Sequence, residues 1–264
     1  MKLSRTASAA FSLVELSIVL VILGLLTGGI LAGQSLIRAS ELRAVSVEYG
    51  RYVTATQSFR DKYFGYPGDF NQATRYWGRL NSNADCVTST GAAVATPGAC
   101  DGDNNGHVDS AGGGNASGEM FQFWKHLANA GLIEGSYSGL SGSSTYMVTD
   151  GTNVPRSKLS GGDWTAWYLG IQAGDARTYA MDYGNAFIFG SNNNGDLNLK
   201  AILKPEEAWN IDKKMDDGMP GSGRVIALYW NNACATAASD ADYTSPYNLS
   251  NTSLQCVLYF VKAF

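Results

Sequence analysis

Residues 11–31 read FSLVELSIVLVILGLLTGGIL, and Glu15 is the only charged residue among them. A helix of about 20 apolar residues is long enough to cross the hydrocarbon core of a bilayer. A carboxylate at the bilayer centre costs roughly 2.5–3.5 kcal/mol on insertion scales, so it is retained where it has a function. The stretch therefore predicts a membrane-spanning helix, with Glu15 as its candidate functional residue.

The segment before this stretch is short, polar and basic. Residues 1–10 contain Lys2 and Arg5, and they end in Ala9-Ala10. Basic residues that flank a membrane span stay on the cytoplasmic side. We therefore expect residues 1–10 to be a cytoplasmic leader, and the chain after the span to project out of the cytoplasm.

The junction between leader and span carries a family resemblance. A small residue at Ala10, then Phe-Ser-Leu-Val-Glu and a long apolar run, resembles the cleavage and methylation motif of type IV prepilins and type II secretion pseudopilins. Ala10 departs from that motif, because the family usually has Gly there. The resemblance implies that a prepilin peptidase removes the leader after Ala10 and N-methylates Phe11. It also implies an inner-membrane assembly platform that stacks the mature chain, with copies of itself or related pilins, into a filament whose long helices lie inside.

Cleavage after Ala10 would give Glu15 a partner. The new amine on Phe11 stays basic after methylation, and a carboxylate in an apolar environment needs a proton, a partner or a nearby interface. The pair could form between neighbouring subunits and set their axial stagger, or within an isolated subunit. Glu15 is therefore predicted to act in assembly.

Two other interpretations of residues 11–31 stay open. A secretory signal peptide has an apolar segment of about 7–15 residues and an A-x-A-like site. This run is longer and carries Glu15 near its start. A plain membrane anchor fits the length but gives no reason for an acid at that position. In the pilin and anchor interpretations alike, membrane lipid is a partner of the helix.

Helical periodicity continues beyond the span. Apolar residues recur every three or four positions, as on one face of an amphipathic helix: Leu36, Leu42, Val45, Tyr49, Tyr52, Val53, Phe59 and Tyr63. Charged residues take much of the other face: Arg38, Glu41, Arg43, Glu48, Arg51 and Arg60. The sequence predicts one helix, with a transmembrane and assembly part over 11–33 and an amphipathic part over 34–64. Gly-Tyr-Pro-Gly at 65–68 ends it.

Residues 65–264 are expected to form a globular head. The chain has 264 residues, of which 45% are hydrophobic and 31 are glycine, and this composition indicates a sizeable core with long loops. Residues 65–118 read mainly as loop. Strands are predicted near 146–149, 164–171, 186–189, 224–229 and 255–261. The family resemblance implies an α+β, pilin-like fold whose antiparallel sheet packs on the outer half of the long helix.

Two shorter helices are predicted in the head. The first opens at Ser117, a good N-cap residue, and ends at Gly131. Its aromatic residues have helical spacing, which favours core packing over a binding platform. The second begins at Pro205 and ends before Gly218. Three acids near its end form either a second cation site or, as we favour, a solvated helix end relieved by neighbouring lysines: Asp212, Asp216 and Asp217.

Four cysteines lie beyond the span: Cys86, Cys100, Cys234 and Cys256. Of the three possible pairings, the loop spacings favour Cys86–Cys100 and Cys234–Cys256. Disulfides indicate an oxidising compartment such as the periplasm or cell surface. The second pair is also similar to the disulfide-bounded C-terminal region of many type IV pilins. We expect the chain in the inner membrane with its head in the periplasm, and then in a periplasmic or cell-surface filament.

Residues 101–109 read DGDNNGHVD and copy the first half of a calcium loop. The predicted ligands are Asp101, Asp103, Asn105, the carbonyl of His107, and Asp109. Position twelve is Gly112 rather than Glu, so the loop is not an EF-hand, but Glu119 could complete the shell. Calcium-stabilised loops also occur among pseudopilins. The alternative is a solvated acidic turn.

The sequence shows no arrangement typical of an enzyme. It has two histidines, His107 and His126, and neither belongs to a zinc-binding pattern. It also lacks the G-x-S-x-G elbow of hydrolases. A net charge of −4 gives no support for nucleic-acid binding. We therefore favour a filament subunit over a membrane-anchored calcium- or ligand-binding module that does not polymerise, and over a periplasmic enzyme.

Overall fold

The structure is a computed structural model that describes residues 12–80, 86, 98–109, 118–142, 144, 146–174, 177–193, 196–228 and 233–264. The helices are α1 (Leu13–Tyr63), α2 (Ala73–Trp77), α3 (Glu119–Asn129) and α4 (Pro205–Met215). The strands are β1 (Asp163–Tyr168), β2 (Asn185–Gly190), β3 (Val225–Ala227) and β4 (Leu258–Phe260). The chain divides into two compact units, of which the first ends at Glu41 and the second begins at Leu42.

In the first unit, α1 is an apolar helix whose side chains are exposed from Leu13 to Ile37. Its few hydroxyls bond to carbonyls of the helix itself, as Thr27 does to the carbonyl of Leu23 at 2.8 Å. α1 is long and apolar enough to cross a membrane, which suggests membrane anchoring or a signal sequence. The predicted long helix is confirmed over the described residues, while the leader and Phe11 lie outside them.

In the second unit, the remaining part of α1 packs on a four-stranded antiparallel sheet. The strand order is β1-β2-β4-β3. The ring of Tyr49 stacks on Phe260 of β4 with centroids 4.5 Å apart, and Tyr52 meets Trp164 of β1 edge-on at 5.7 Å. These contacts place the aromatic stripe of α1 in the main core, as its helical spacing predicts. The unit is α+β, in agreement with the sequence.

The sheet has two buried faces because successive side chains of a strand point to opposite sides. Phe187, Phe189 and Phe260 belong to the core that contains α1. Ile188, Ile226 and Tyr259 alternate with them and form a second, smaller core on the other face. α3 adds Phe123 and Trp124 to the first core, where Trp124 lies 4.9 Å from Tyr52.

Glu48 is an exception to the predicted polar face of α1. It is only 5% exposed, and its carboxylate accepts three hydrogen bonds. The donors are the hydroxyl of Ser157 at 2.6 Å, Nε1 of Trp164 at 2.9 Å and the N–H of Lys158 at 2.8 Å. Glu48 therefore belongs to the core and not to the charged face, and these donors satisfy a carboxylate that burial would otherwise destabilise.

The strand predicted at 146–149 is absent, and an asparagine explains why. The side chain of Asn153 accepts the N–H of Thr149 at 2.7 Å and donates to the carbonyl of Met147 at 2.9 Å. These backbone groups are therefore not available for hydrogen bonds to a neighbouring strand. The other four predicted runs each overlap a strand of the sheet.

A short helix, α2, interrupts the region predicted as loop. Asp101 holds its first turn from a distance, accepting the N–H and the hydroxyl of Thr74 at 2.8 Å each. The sequence does not predict α2 for two reasons. A helix of five residues is too short to show helical periodicity, and the carboxylate that stabilises it lies 27 residues away in the chain.

Both disulfides suggested by the loop spacings are present. Cys86 is bonded to Cys100, and Cys234 to Cys256, with Cα atoms 5.2 Å and 5.1 Å apart. They suggest an oxidising location outside the cytoplasm. The backbone of Cys256 bonds with Leu203, so this disulfide also fixes the segment that leads into β4.

Candidate functional site

The first turn of α1 holds Glu15 in a capping arrangement. Its Oε2 accepts the N–H of Ser12 at 2.9 Å, while the Ser12 hydroxyl accepts the N–H of Val14 at 3.2 Å. Ser-x-x-Glu at 12–15 is the sequence signature of such a cap. Glu15 therefore has a local partner in the isolated chain. Ala10 and Phe11, the predicted processing residues, lie outside the described residues.

The predicted calcium residues do not all converge. Asp103 lies beside Asp69 and Glu119, and carboxylate oxygens of these three residues are all within 4.8 Å of one another. Asp101 instead caps α2. The side chain of Asn105 bonds to the carboxylates of Asp103 at 3.0 Å and Asp109 at 2.9 Å, so it lies at the rim of the acidic group.

His107 contributes a ring contact to the same loop. Its imidazole stacks on the ring of Tyr168 of β1, with ring centroids 3.6 Å apart. The backbone N–H of His107 donates to Oδ1 of Asn105 at 2.7 Å. Asn185 of β2 also binds the loop, donating to the carbonyl of Gly106 and accepting the N–H of Val108, at 2.9 Å each. The loop is thus fixed to the sheet edge as well as to α3.

Asp69 is the member of the acidic group that sequence reasoning missed. It is only 1% exposed, and its oxygens accept the N–H groups of Asn105 and Gly106 at 2.9 and 3.0 Å. It follows Pro67-Gly68, which reads as an ordinary turn, and nothing in the sequence links it to a loop more than 30 residues later.

Two glycines make this close approach possible. A Cβ on Gly68 would meet the carbonyl oxygen of Glu119 at 2.4 Å, and Gly68 has φ +87°, a backbone conformation that favours glycine. A Cβ on Gly102 would meet the backbone of Asp69 at 2.3 Å. The turn at 68–69, the loop and the start of α3 therefore come together only because these positions lack side chains.

Glu119 completes the group from the first turn of α3. Its two oxygens accept the N–H of Asp103 at 3.0 Å and the N–H of Asp109 at 2.9 Å. Burial raises the pKa of Glu119 to about 7, and the charges of Asp69 and Asp103 add to this effect. Burial likewise raises the pKa of Asp69 to about 6, with a further contribution from Asp103. Burial therefore disfavours the charged forms of Glu119 and Asp69, and a cation bound to their oxygens would favour those charged forms.

His126 lies behind this group as a neutral, buried imidazole. Nδ1 accepts the N–H of Gly68 at 2.9 Å, and Nε2 lies 3.0 Å from the carbonyl of Cys100, which assigns the proton to Nε2. Burial lowers the pKa of His126 to about 3. The imidazole therefore connects the backbone at Gly68, next to Asp69, with the backbone at Cys100.

The second acidic group, at the end of α4, is tied to backbone and hydroxyl donors. Asp212 is fully buried, accepting the hydroxyl of Tyr247 at 2.8 Å and the N–H of Gly218 at 3.1 Å. Asp217 accepts the hydroxyl of Ser222 at 2.7 Å. The expected solvated helix end was wrong for Asp212, because it anchors the loop after α4 to the Tyr247 segment.

Comparisons with known proteins give no relative for this arrangement. No family model matches the chain, and neither a curated protein nor a solved structure matches it significantly.

Proposed function

We propose that this chain is a structural subunit of a filament of the type IV pilin or pseudopilin class. The observation that carries the proposal is the division of α1: its side chains are exposed and apolar from Leu13 to Ile37, whereas from Leu42 it is built into the core of the head. Such an exposed apolar surface requires a partner. Lipid covers it before assembly, and the same helix of neighbouring subunits covers it in the filament.

We propose that Glu15 is the residue that joins neighbouring subunits during assembly. It is the only charged residue between Ser12 and Ile37, and removal of the leader after Ala10 would place a basic amine at Phe11. In an apolar filament core, the carboxylate of one subunit would pair with the amine of the next. Removing one member of a buried ion pair costs about 3–5 kcal/mol, because the other charge is left uncompensated.

The experiment compares Glu15→Leu with Glu15→Gln in cells that carry the assembly machinery. Glutamine keeps an oxygen that can accept the N–H of Ser12, so it preserves the cap but removes the charge. We expect both variants to insert and to be cleaved, and both to be missing from filaments sheared off the cells. Mass spectrometry of the wild-type N-terminus checks the loss of the leader and the methylation of Phe11.

Thr27→Val is the matched control, since it also replaces a polar residue in the apolar part of α1. We expect normal filament yield from it. Normal yield from Glu15→Gln with failure of Glu15→Leu would assign Glu15 to the cap alone. Normal yield from both would reduce α1 to an anchor and favour the module that does not polymerise.

We further propose that the acidic group at Asp69, Asp103 and Glu119 binds calcium. Calcium prefers carboxylate and carbonyl oxygens, with six to eight ligands in flexible geometry. Three carboxylates within 4.8 Å of one another supply the charge for such a site, and Asn105 and Asp109 lie at its rim. Compared with the set predicted from the sequence, this proposal adds Asp69 and leaves Asp101 to α2. Calcium would join the 65–70 turn, the loop and α3 into one structure.

A further inference from the structure

A cleft of about 330 Å³ lies in the head, beside the sheet face turned away from α1. Its wall includes Trp167 of β1 and Tyr259 of β4, and Tyr259 belongs to the smaller core on that face. Small-molecule sites begin at about 300 Å³ and combine apolar walls with a few polar groups. The cleft is therefore large enough for one small ring molecule, and its lining includes none of the carboxylates of the acidic group.

An aromatic pair forms one side of the cleft. The rings of Tyr146 and Trp167 have centroids 6.0 Å apart and are inclined by only 32°. Tyr146 is 36% exposed and Trp167 is half-buried, so part of each ring is open to solvent. Neighbouring aromatic surfaces left open to solvent offer a flat apolar platform with polar edges.

Polar groups on the remaining lining are mainly hydrogen-bond acceptors. The side-chain amide nitrogen of Gln172 donates to the carbonyl of Leu169 at 2.6 Å. The side-chain oxygen of Gln172 has no hydrogen bond among the described residues. Oδ1 of Asp196 accepts the N–H of Leu197 at 2.8 Å, and Oδ2 accepts no hydrogen bond from the described residues. Thr178 is 6% exposed, and its hydroxyl has no partner within the described part of the chain. A buried hydroxyl without a partner is uncommon in native structures.

We infer that this cleft binds a saccharide ring. A pyranose has an apolar C–H face that fits an aromatic platform, and hydroxyls around its edge that donate to acceptors such as those of Gln172 and Asp196. Arg177 and Asp196 give the lining one charge of each sign, which favours a neutral ligand over an anion or a cation. The cleft volume accommodates one sugar unit. The inference does not depend on filament assembly.

The test uses the full chain in a detergent without a sugar headgroup, since a glycoside detergent would compete for the cleft. Saturation-transfer NMR is recorded with methyl β-D-glucoside, methyl β-D-galactoside and N-acetylglucosamine as probes. We expect transfer to the ring C–H protons of at least one probe, with millimolar affinity. Sorbitol has similar hydroxyls but no ring face, and we expect no transfer to it.

Tyr146→Ala should weaken binding about tenfold. Tyr76→Ala is the matched control, because Tyr76 is also an exposed tyrosine but lies outside the cleft. Asp196→Asn keeps the acceptor for Leu197 and should weaken binding without lowering the melting temperature. The inference is overturned if none of the three sugars shows transfer, if sorbitol binds equally well, or if Tyr146→Ala binds no worse than Tyr76→Ala.

Discussion

Asp163, at the start of β1, is a carboxylic acid in the interior of the head. It is 1% exposed, and neither oxygen has a hydrogen bond of normal geometry among the described residues. Burial raises the pKa of Asp163 to about 8, and the nearby Asn198 and Asn192 oppose this only in part. At neutral pH the folded protein therefore holds a proton at Asp163 that the unfolded chain has released.

This proton makes the stability of the head fall as pH rises. The unfolded carboxyl loses its proton near pH 4 and the folded one near pH 8, so the cost accumulates between these values and approaches about 5 kcal/mol. Asp163→Asn has no proton to lose, so we expect it to be more stable than wild type by a margin that grows from pH 5 to pH 8. Urea unfolding across this range measures the margin.

Asp61→Asn is the control for this measurement, since Asp61 is exposed on α1. Its curve of unfolding free energy against pH should run parallel to that of wild type. If the Asp163→Asn curve is also parallel to wild type, Asp163 is ionised in the folded protein and the assignment fails.

At the scale of elements, Glu48 is the polar link between α1 and the segment that enters β1. Glu48→Ala removes the acceptor for the hydroxyl of Ser157, the N–H of Lys158 and Nε1 of Trp164 together. Hydrogen bonds to charged groups contribute about 1.5–3 kcal/mol each, and their buried donors would be left unsatisfied. We expect the variant to lose about 3 kcal/mol of unfolding free energy, measured by urea unfolding.

Glu134→Ala serves as the comparison, because Glu134 is exposed. Its unfolding free energy should stay within about 0.5 kcal/mol of wild type. A loss in Glu48→Ala no larger than that in Glu134→Ala would show that the three donors find water instead, and that the link contributes nothing net.

The long helix and the strands could be predicted because their signals are local. α1 follows from an apolar run and then a stripe that includes Tyr52 and Phe59, and both patterns are read within a few turns. Glu48 and Asp69 could not be predicted in their positions, since the partners of Glu48 lie at least 109 residues away and those of Asp69 at least 36. A carboxylate in sequence is polar by default, and only tertiary donors make it a core residue.

At the scale of the whole molecule, calcium should act on the melting of the head. A ligand that binds only the folded state stabilises it by mass action, by about 2.7 kcal/mol at 100 times its Kd, which corresponds to roughly 5–10 °C for a unit of this size. We expect calcium to raise, and chelation to lower, the melting temperature. Asp103→Asn should abolish the difference, because Asp103 is the exposed member of the acidic group.

Asp217→Asn tests whether the calcium effect on the melting temperature is specific to the group at Asp69, Asp103 and Glu119. It belongs to the second acidic group, and we expect its response to calcium to equal that of wild type. Equal melting of the wild-type chain in excess calcium and in chelator would remove the calcium proposal and leave the solvated acidic turn.

The strand order β1-β2-β4-β3 also imposes an order in time. Within the described residues β3 pairs only with β4, which lies between it and β2. β3 is synthesised before β4, so it has no strand to pair with until residues 258–260 have been made. Cys256, just before those residues, must also form its disulfide with Cys234. Until β4 is in place, β2 has an unpaired edge and contains Phe187 and Phe189. Such an edge can pair with a strand of another chain and cause aggregation. The head therefore cannot complete its sheet until β4 has been delivered, and a delay at that stage would leave an aggregation-prone intermediate.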